Sequence, residues 1–144
     1  QDYEAIETML RDDSIVMGLA DAGAHVGQIM DSSQPTYFLS HWVRDTGFFS
    51  LEEGVRRITS DTADLFGLVD RGRIVEGAYA DINVINLDQL ALAGPEYVHD
   101  FPGGAGRYVQ RGAGYDATIV NGQVFMEHGE HTGALAGMTL RSTD

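Results

Sequence analysis

The key to this sequence is SIVMGLADAGAHV, Ser14 to Val26. Six mostly apolar residues, Ile15 to Ala20, run without alternation and end on an acid, Asp21, which Ala22, Gly23, Ala24 and His25 follow. A half-buried strand alternates apolar and polar side chains, so an unbroken run of this kind fits a parallel strand covered on both faces. Upstream, YEAIETMLRDD places Tyr3, Ile6, Met9 and Leu10 at helical spacing, and Asp12, Asp13 and Ser14 break the pattern. A helix joined to a strand by two or three residues is an α/β arrangement. In parallel α/β sheets and barrels, ligands bind outside the carboxyl ends of the strands. Asp21 occupies that position, and the small residues behind it leave room for a ligand. The alternative for Asp21 is a cap on the next turn.

Downstream, the same patterns predict three more helices. In PTYFLSHWVRD, Pro35 suits a first turn, while Phe38, Leu39, Trp42 and Val43 make one apolar face. In FFSLEEGVRRIT, Ser50 and Glu53 form a capping box ahead of a stripe of Leu51, Val55 and Ile58. TSDTADLFG reads as a short helix with Asp61 as N-cap and Gly67 as its stop. The character changes near Leu68. Ile82, Val84 and Ile85 mark a strand, the stretch from Leu92 to Asp116 is dense in glycine turns, and the tail from His131 is polar. In ATIVNGQVFMEHG, Asn121–Gly122 predicts a tight hairpin that sets Ile119 opposite Val124.

Composition bounds the function classes. A chain of 144 residues, 43% apolar and 22% charged, carries enough core for one globular domain. A net charge of −13 argues against nucleic acid and anionic membrane surfaces as partners. No apolar run nears the ~18 residues of a membrane span, and no signal peptide is expected. The absence of cysteine excludes disulfides, thiolate nucleophiles and cysteine-type zinc sites, and it suits a cytoplasmic location. The sequence opens at Gln1 inside a helical pattern, which is the expectation for a segment of something longer.

Several segments carry a family resemblance: GLADAGAHV (18–26), PTYFLSHWVRD (35–45), the LFGL, DRGRI and ADINVINLD run (65–88), VHDFPGGAGRYVQRG (98–112), and ATIVNGQVF with EHGEHTGAL (117–135). In this order they resemble the carboxyl-terminal end of the N-acyl-D-amino-acid deacylases, members of the metal-dependent amidohydrolase superfamily. The resemblance implies an α/β fold: the terminal strand and helices of a metal-dependent-hydrolase (β/α)8 barrel over residues 1–68, then part of a small β-sandwich domain over residues 69–144. It also implies zinc in the complete enzyme and hydrolysis of the amide of an N-acyl-D-amino acid. Asp21 then matches the aspartate beside the metal, which takes a proton from the metal-bound water and passes it to the leaving amine. Ala20 stands where the family commonly has Ser. The histidines and bridging residue by which the superfamily mainly holds metal belong to earlier strands and find no match here. Three or four ligands are needed to hold zinc, so the chain alone is expected to bind none and to be inactive.

The remaining candidates have plainer readings beside the functional ones. His25 either lines the substrate pocket, holds Asp21 by a hydrogen bond, or is a structural loop residue. Asp31 and Ser32 lie in the same loop and are candidate substrate contacts. His41 and Trp42 sit on the apolar-faced helix and read as packing. Arg44 has the chemistry to pair with a substrate carboxylate, although a surface ion pair accounts for it. His128 and His131 lack the spacing of a helical His-Glu-x-x-His site, and His99 with Asp100 is an equally poor metal signal. Pro102–Gly106 lacks the Lys-Ser/Thr ending of a phosphate loop and reads as a structural turn, with a lid or channel segment left open by the family pattern. Two other readings stand: a ring-opening relative of the hydantoinases and dihydroorotases, and a non-catalytic α/β module. A chain that folds alone is expected to self-associate, because a doubly buried strand has bare edges.

Overall fold

A computed structural model describes residues 3–18 and 20–141. The first half is helical: α1 (Tyr3–Arg11), α2 (Gln34–Tyr37), α3 (Leu51–Ile58) and α4 (Ser60–Leu65). Between α2 and α3 the chain forms a π-helical segment, Phe38–Asp45. Its wide turn ends with the Thr46 N–H donating to the His41 carbonyl at 2.9 Å, five residues back. The apolar face read from the sequence is the core. Phe38, Leu39, Trp42 and Val43 are buried together with Phe49 and Leu90.

The second half is β. Strands β1 (Ile82–Ile85), β6 (Tyr115–Val120), β7 (Gln123–Glu127) and β8 (Glu130–His131) form an antiparallel sheet in the order β1-β6-β7-β8. The Asn121–Gly122 turn joins β6 to β7 and sets Ile119 opposite Val124, as expected. Between β1 and β6 the chain makes one long folded-back arm. Strands β2 (Ala91–Leu92) and β5 (Gly112–Ala113) pair at its root, and β3 (Glu96–Val98) and β4 (Arg107–Val109) pair further out. A 3₁₀ turn at Pro102–Gly104 forms its tip.

The arm is rooted in the helical half. Leu90 is completely buried in the helical core. A Cβ on Gly114, which has φ of +85°, would lie 2.7 Å from the Leu90 backbone, so only glycine fits both the angle and the approach. The Arg44 guanidinium donates to the carbonyls of Leu87 and Leu90. Thr36 and Tyr115 share a hydroxyl hydrogen bond of 2.7 Å.

Three expectations change. Residues 15–18 and 20 form no strand, and Leu19 lies outside the described residues. Every strand pair formed among the described residues is antiparallel and lies beyond Leu68, so the apolar run has no parallel neighbour, and Ile15 and Val16 are exposed. Of the α3 stripe only Ile58 packs against the core, and Leu51 and Val55 are exposed. Instead α3 lays Gly54 against Val43, where a Cβ would come within 2.4 Å of the valine methyl. It also buries Arg57, whose guanidinium lies 4.7 Å from the Phe49 ring and bonds Glu53 and Asp13. Close packing at a small residue outweighs stripe hydrophobicity here. Finally, Thr59 and not Asp61 precedes α4, and the Asp61 carboxylate takes two bonds from Arg56 at 2.8 and 2.7 Å. The Ser50 cap is as expected, accepting from the Glu53 N–H at 3.2 Å.

Candidate functional site

Asp21 opens a loop of turns between the apolar run and α2. Its side chain is exposed and has no hydrogen-bond or ion-pair partner among the described residues. The Ala24 N–H bonds the Asp21 backbone carbonyl at 3.2 Å and leaves the carboxylate unused, so the side chain does not serve as a cap. His25 does not hold Asp21 either. It is exposed, in the left-handed region at φ of +51°, and its carbonyl accepts from the Gln28 and Ile29 N–H groups at 2.7 and 3.0 Å. A non-glycine residue in that conformation carries backbone strain. Asp31 and Ser32 are exposed at the end of the loop.

The arm folds back onto this loop. The Tyr108 N–H donates to the Val26 carbonyl at 3.0 Å, which ties β4 to the segment behind Asp21. Between the two lies a cleft of about 250 Å³. Ala22, Gly23 and Ser32 line it from the loop, and Arg107, Tyr108 and Gln110 from the arm. Asp21, His25 and Asp31 are not among its lining residues. The structure thus brings Ser32 and the residues next to Asp21 to one cavity and leaves the other expected contacts outside it.

Arg107 is the site residue that the sequence did not single out. Its Nε donates to both Asp100 carboxylate oxygens at 2.9 and 3.2 Å, and its Nη2 donates at 2.7 Å. The Phe101 ring centre lies 5.3 Å from the guanidinium carbon. These bonds hold the Asp100 carboxyl below the usual carboxylate range. A group whose folded pKa is depressed adds stability above its unfolded pKa and loses it as pH falls through the folded value. In a ¹³C-detected titration the Asp100 midpoint is therefore expected below the ordinary 3.8, and Arg107→Met should return it toward that value. An unmoved midpoint in the variant would mean that Arg107 is not the cause.

His41, His99 and His131 are engaged in structure. The His99 Nδ1 bonds the Gly104 carbonyl at 2.9 Å and closes the tip turn. His41 stacks on Tyr37 at 4.9 Å. The His131 Nδ1 accepts from the Gly133 N–H at 2.8 Å, and its ring meets Phe125 edge-on. Among the described residues no three His, Cys, Asp or Glu side chains gather in a group that would hold a metal ion. None of their helices is long and apolar enough to cross a membrane.

An exposed acid without a side-chain partner among the described residues, backed by small residues, thus stands next to a cleft lined from both halves of the chain. The amidohydrolase family model matches residues 1–126, and the chain belongs to that family. It is similar to the D-aminoacylase of Alcaligenes xylosoxydans xylosoxydans, with 33% identity over 105 residues that cover 73% of this chain and 20% of that protein. It is also similar to the N-acyl-D-glutamate deacylase of the same organism, with 38% identity over 74 residues, 44% of this chain and 15% of that one. Among solved structures, a D-aminoacylase studied for the functional role of its binuclear metal centre superposes with a TM-score of 0.57 at 34% identity, covering 72% of this chain and 20% of that one. The chain spans about a fifth of the length of the D-aminoacylases it matches.

Proposed function

We propose that this chain forms the carboxyl-terminal part of a zinc-dependent amidohydrolase, and that the complete enzyme hydrolyses the amide of N-acyl-D-amino acids to a D-amino acid and a carboxylate. The observation that carries this reading is the 33% identity to a D-aminoacylase over 105 residues. The family match running through Asp21 and the loop behind it adds to that support. In this reading residues 1–68 contribute the last strand and following helices of the barrel, and residues 69–144 part of the small β domain. In this reading residues 15–20 are a strand of the complete barrel, where neighbouring strands take up the backbone groups and the barrel interior and outer helices cover Ile15 and Val16.

Asp21 is the acid–base residue. Its unpaired carboxylate is free to take a proton from the attacking water and deliver it to the nitrogen of the leaving amine. Ser32, on the cleft wall, contacts substrate; His25 and Asp31, from the same loop, do so once the barrel closes around them. Three or four ligands are needed to hold zinc, so in this reading the chain contributes to a metal site that the rest of the enzyme completes. Asp21 is the one residue here assigned to the metal's surroundings, and the other ligands lie outside this segment.

The purified chain alone should therefore show no turnover of N-acetyl-D-methionine or N-acetyl-D-glutamate. Joined to the preceding four-fifths of a D-aminoacylase, it should restore turnover of the D form over the L form. Turnover by the chain alone, a preference for the L form, or ring opening of cyclic amides by the joined protein would each overturn the reading.

A further inference from the structure

We propose that Arg107 recognises the substrate's carboxylate, in the cleft that begins one residue beyond Asp21. The identity of the ligand rests on the N-acyl-D-amino-acid reading; the site itself rests on geometry. Of the residues lining the cleft, Arg107 is the only charged one. Ala22, Gly23, Val26, Ile29 and Met30 give an apolar or small wall. Ser32 supplies a neutral hydrogen-bonding group on one side, while the Gln110 amide N–H donates to the Ala93 carbonyl at 2.7 Å. Such a lining suits a ligand with an apolar body and one anionic head. Asp100 balances the Arg107 charge, so the head would be read by the remaining N–H groups of the fork and not by net charge.

The orientation of the guanidinium leaves a docking edge. An arginine presents two edges that match a carboxylate: one formed by Nε with a terminal nitrogen, the other by the two terminal nitrogens. Asp100 occupies the first, through Nε and Nη2. Nη1 has no acceptor among the described residues, and Nη2 keeps a second N–H, so the other edge is open. Asp100 and the Phe101 ring fix the plane of the fork in advance. A preset fork loses less freedom on binding than a mobile one. The Tyr108 N–H to Val26 carbonyl bond keeps the arm that carries Arg107 against the loop that carries Asp21. The cleft that holds Arg107 thereby starts at Ala22, the residue next to Asp21, although the two come from opposite halves of the chain.

The test is a titration of the ¹⁵N-labelled 144-residue chain followed at the Arg107 Nε–H and at the Ala22, Gly23 and Tyr108 amides. The probes are N-acetyl-D-leucine, N-acetyl-D-isoglutamine (a side-chain carboxylate only) and N-isopentylacetamide (no carboxylate). A saturable joint shift with a carboxylate probe and none with N-isopentylacetamide is expected. The probe that binds tells whether the α-carboxylate or a side-chain carboxylate is read. Arg107→Met should weaken binding about tenfold or more, and Arg107→Lys, which keeps the charge but not the fork, should fall between the two. Equal shifts with the carboxylate-free amide, or binding by the Met variant within about twofold of the parent, would overturn the proposal. If the Met variant does not fold, the Lys variant and the probe comparison decide. Because the readout is binding, its failure leaves amide hydrolysis standing, and a failure of turnover in the joined protein leaves this result intact.

Discussion

Asp21→Asn, in the enzyme completed with the rest of the barrel, is expected to lower kcat by about 10²–10⁴-fold while changing KM little. Asparagine has nearly the same shape and accepts hydrogen bonds but cannot take a proton at neutral pH. The structure makes the substitution a clean one. The Asp21 carboxylate is exposed and bonded to nothing among the described residues, and the turn behind it is closed by backbone groups alone. Folding stability of the 144-residue chain should therefore stay within about 0.5 kcal/mol of the parent, the usual range for a surface change. A variant that keeps full turnover would remove Asp21 from the chemistry. A variant that loses activity together with stability would return the residue to a structural role.

The second large effect is on the fold. Phe38→Ala is expected to cost about 3–5 kcal/mol in denaturant unfolding, the range for an aromatic ring removed from a core. Phe38 is only 1% exposed and meets the Phe49 ring at 5.5 Å. Leu51→Ala serves as the control, because Leu51 is 46% exposed at the start of α3 and should cost far less. The pair tests the packing directly, since hydrophobicity alone ranks the two residues as neighbours. A Leu51 variant as costly as the Phe38 variant would mean that α3 packs by its apolar stripe after all.

The difference between those two residues marks where the sequence stopped being legible. Features fixed within a few residues could be read: the Ser50 cap, the Asn121–Gly122 turn with its register, and the apolar face of Phe38, Leu39, Trp42 and Val43. Features that depend on a distant partner could not. The apolar run after Ser14 is a strand by pattern, yet a strand needs neighbours, and local pattern does not supply them. Gly54 and Arg57 were hidden inside α3, because a helix approaching another closely favours a missing side chain over a large one. Arg44, which looked like a surface cation, pairs with Asp45 and also holds two backbone carbonyls of the arm. The candidate site divides in the same way. Asp21 and Ser32 could be named from one loop, whereas Arg107 joins them only through the folding back of a segment some 75 residues downstream, and its sequence neighbours suggested only a glycine turn.

The nesting of the arm also sets an order of assembly. The partners Val98 and Arg107 are separated by a short turn, Leu92 and Gly112 by a longer one, and Ile82 and Ile119 by the whole arm. Each pair, once made, shortens the free chain that the next must close, so the arm can zip from its tip toward the sheet without one large entropy cost. Direct closure between β1 and β6 would be slow, as long-range pairing generally is. Leu90 enters the helical core only when the zipper reaches the root, and that step couples the two halves of the chain. The arm's tip is thus the place where pairing closes the shortest loop and costs the least chain entropy.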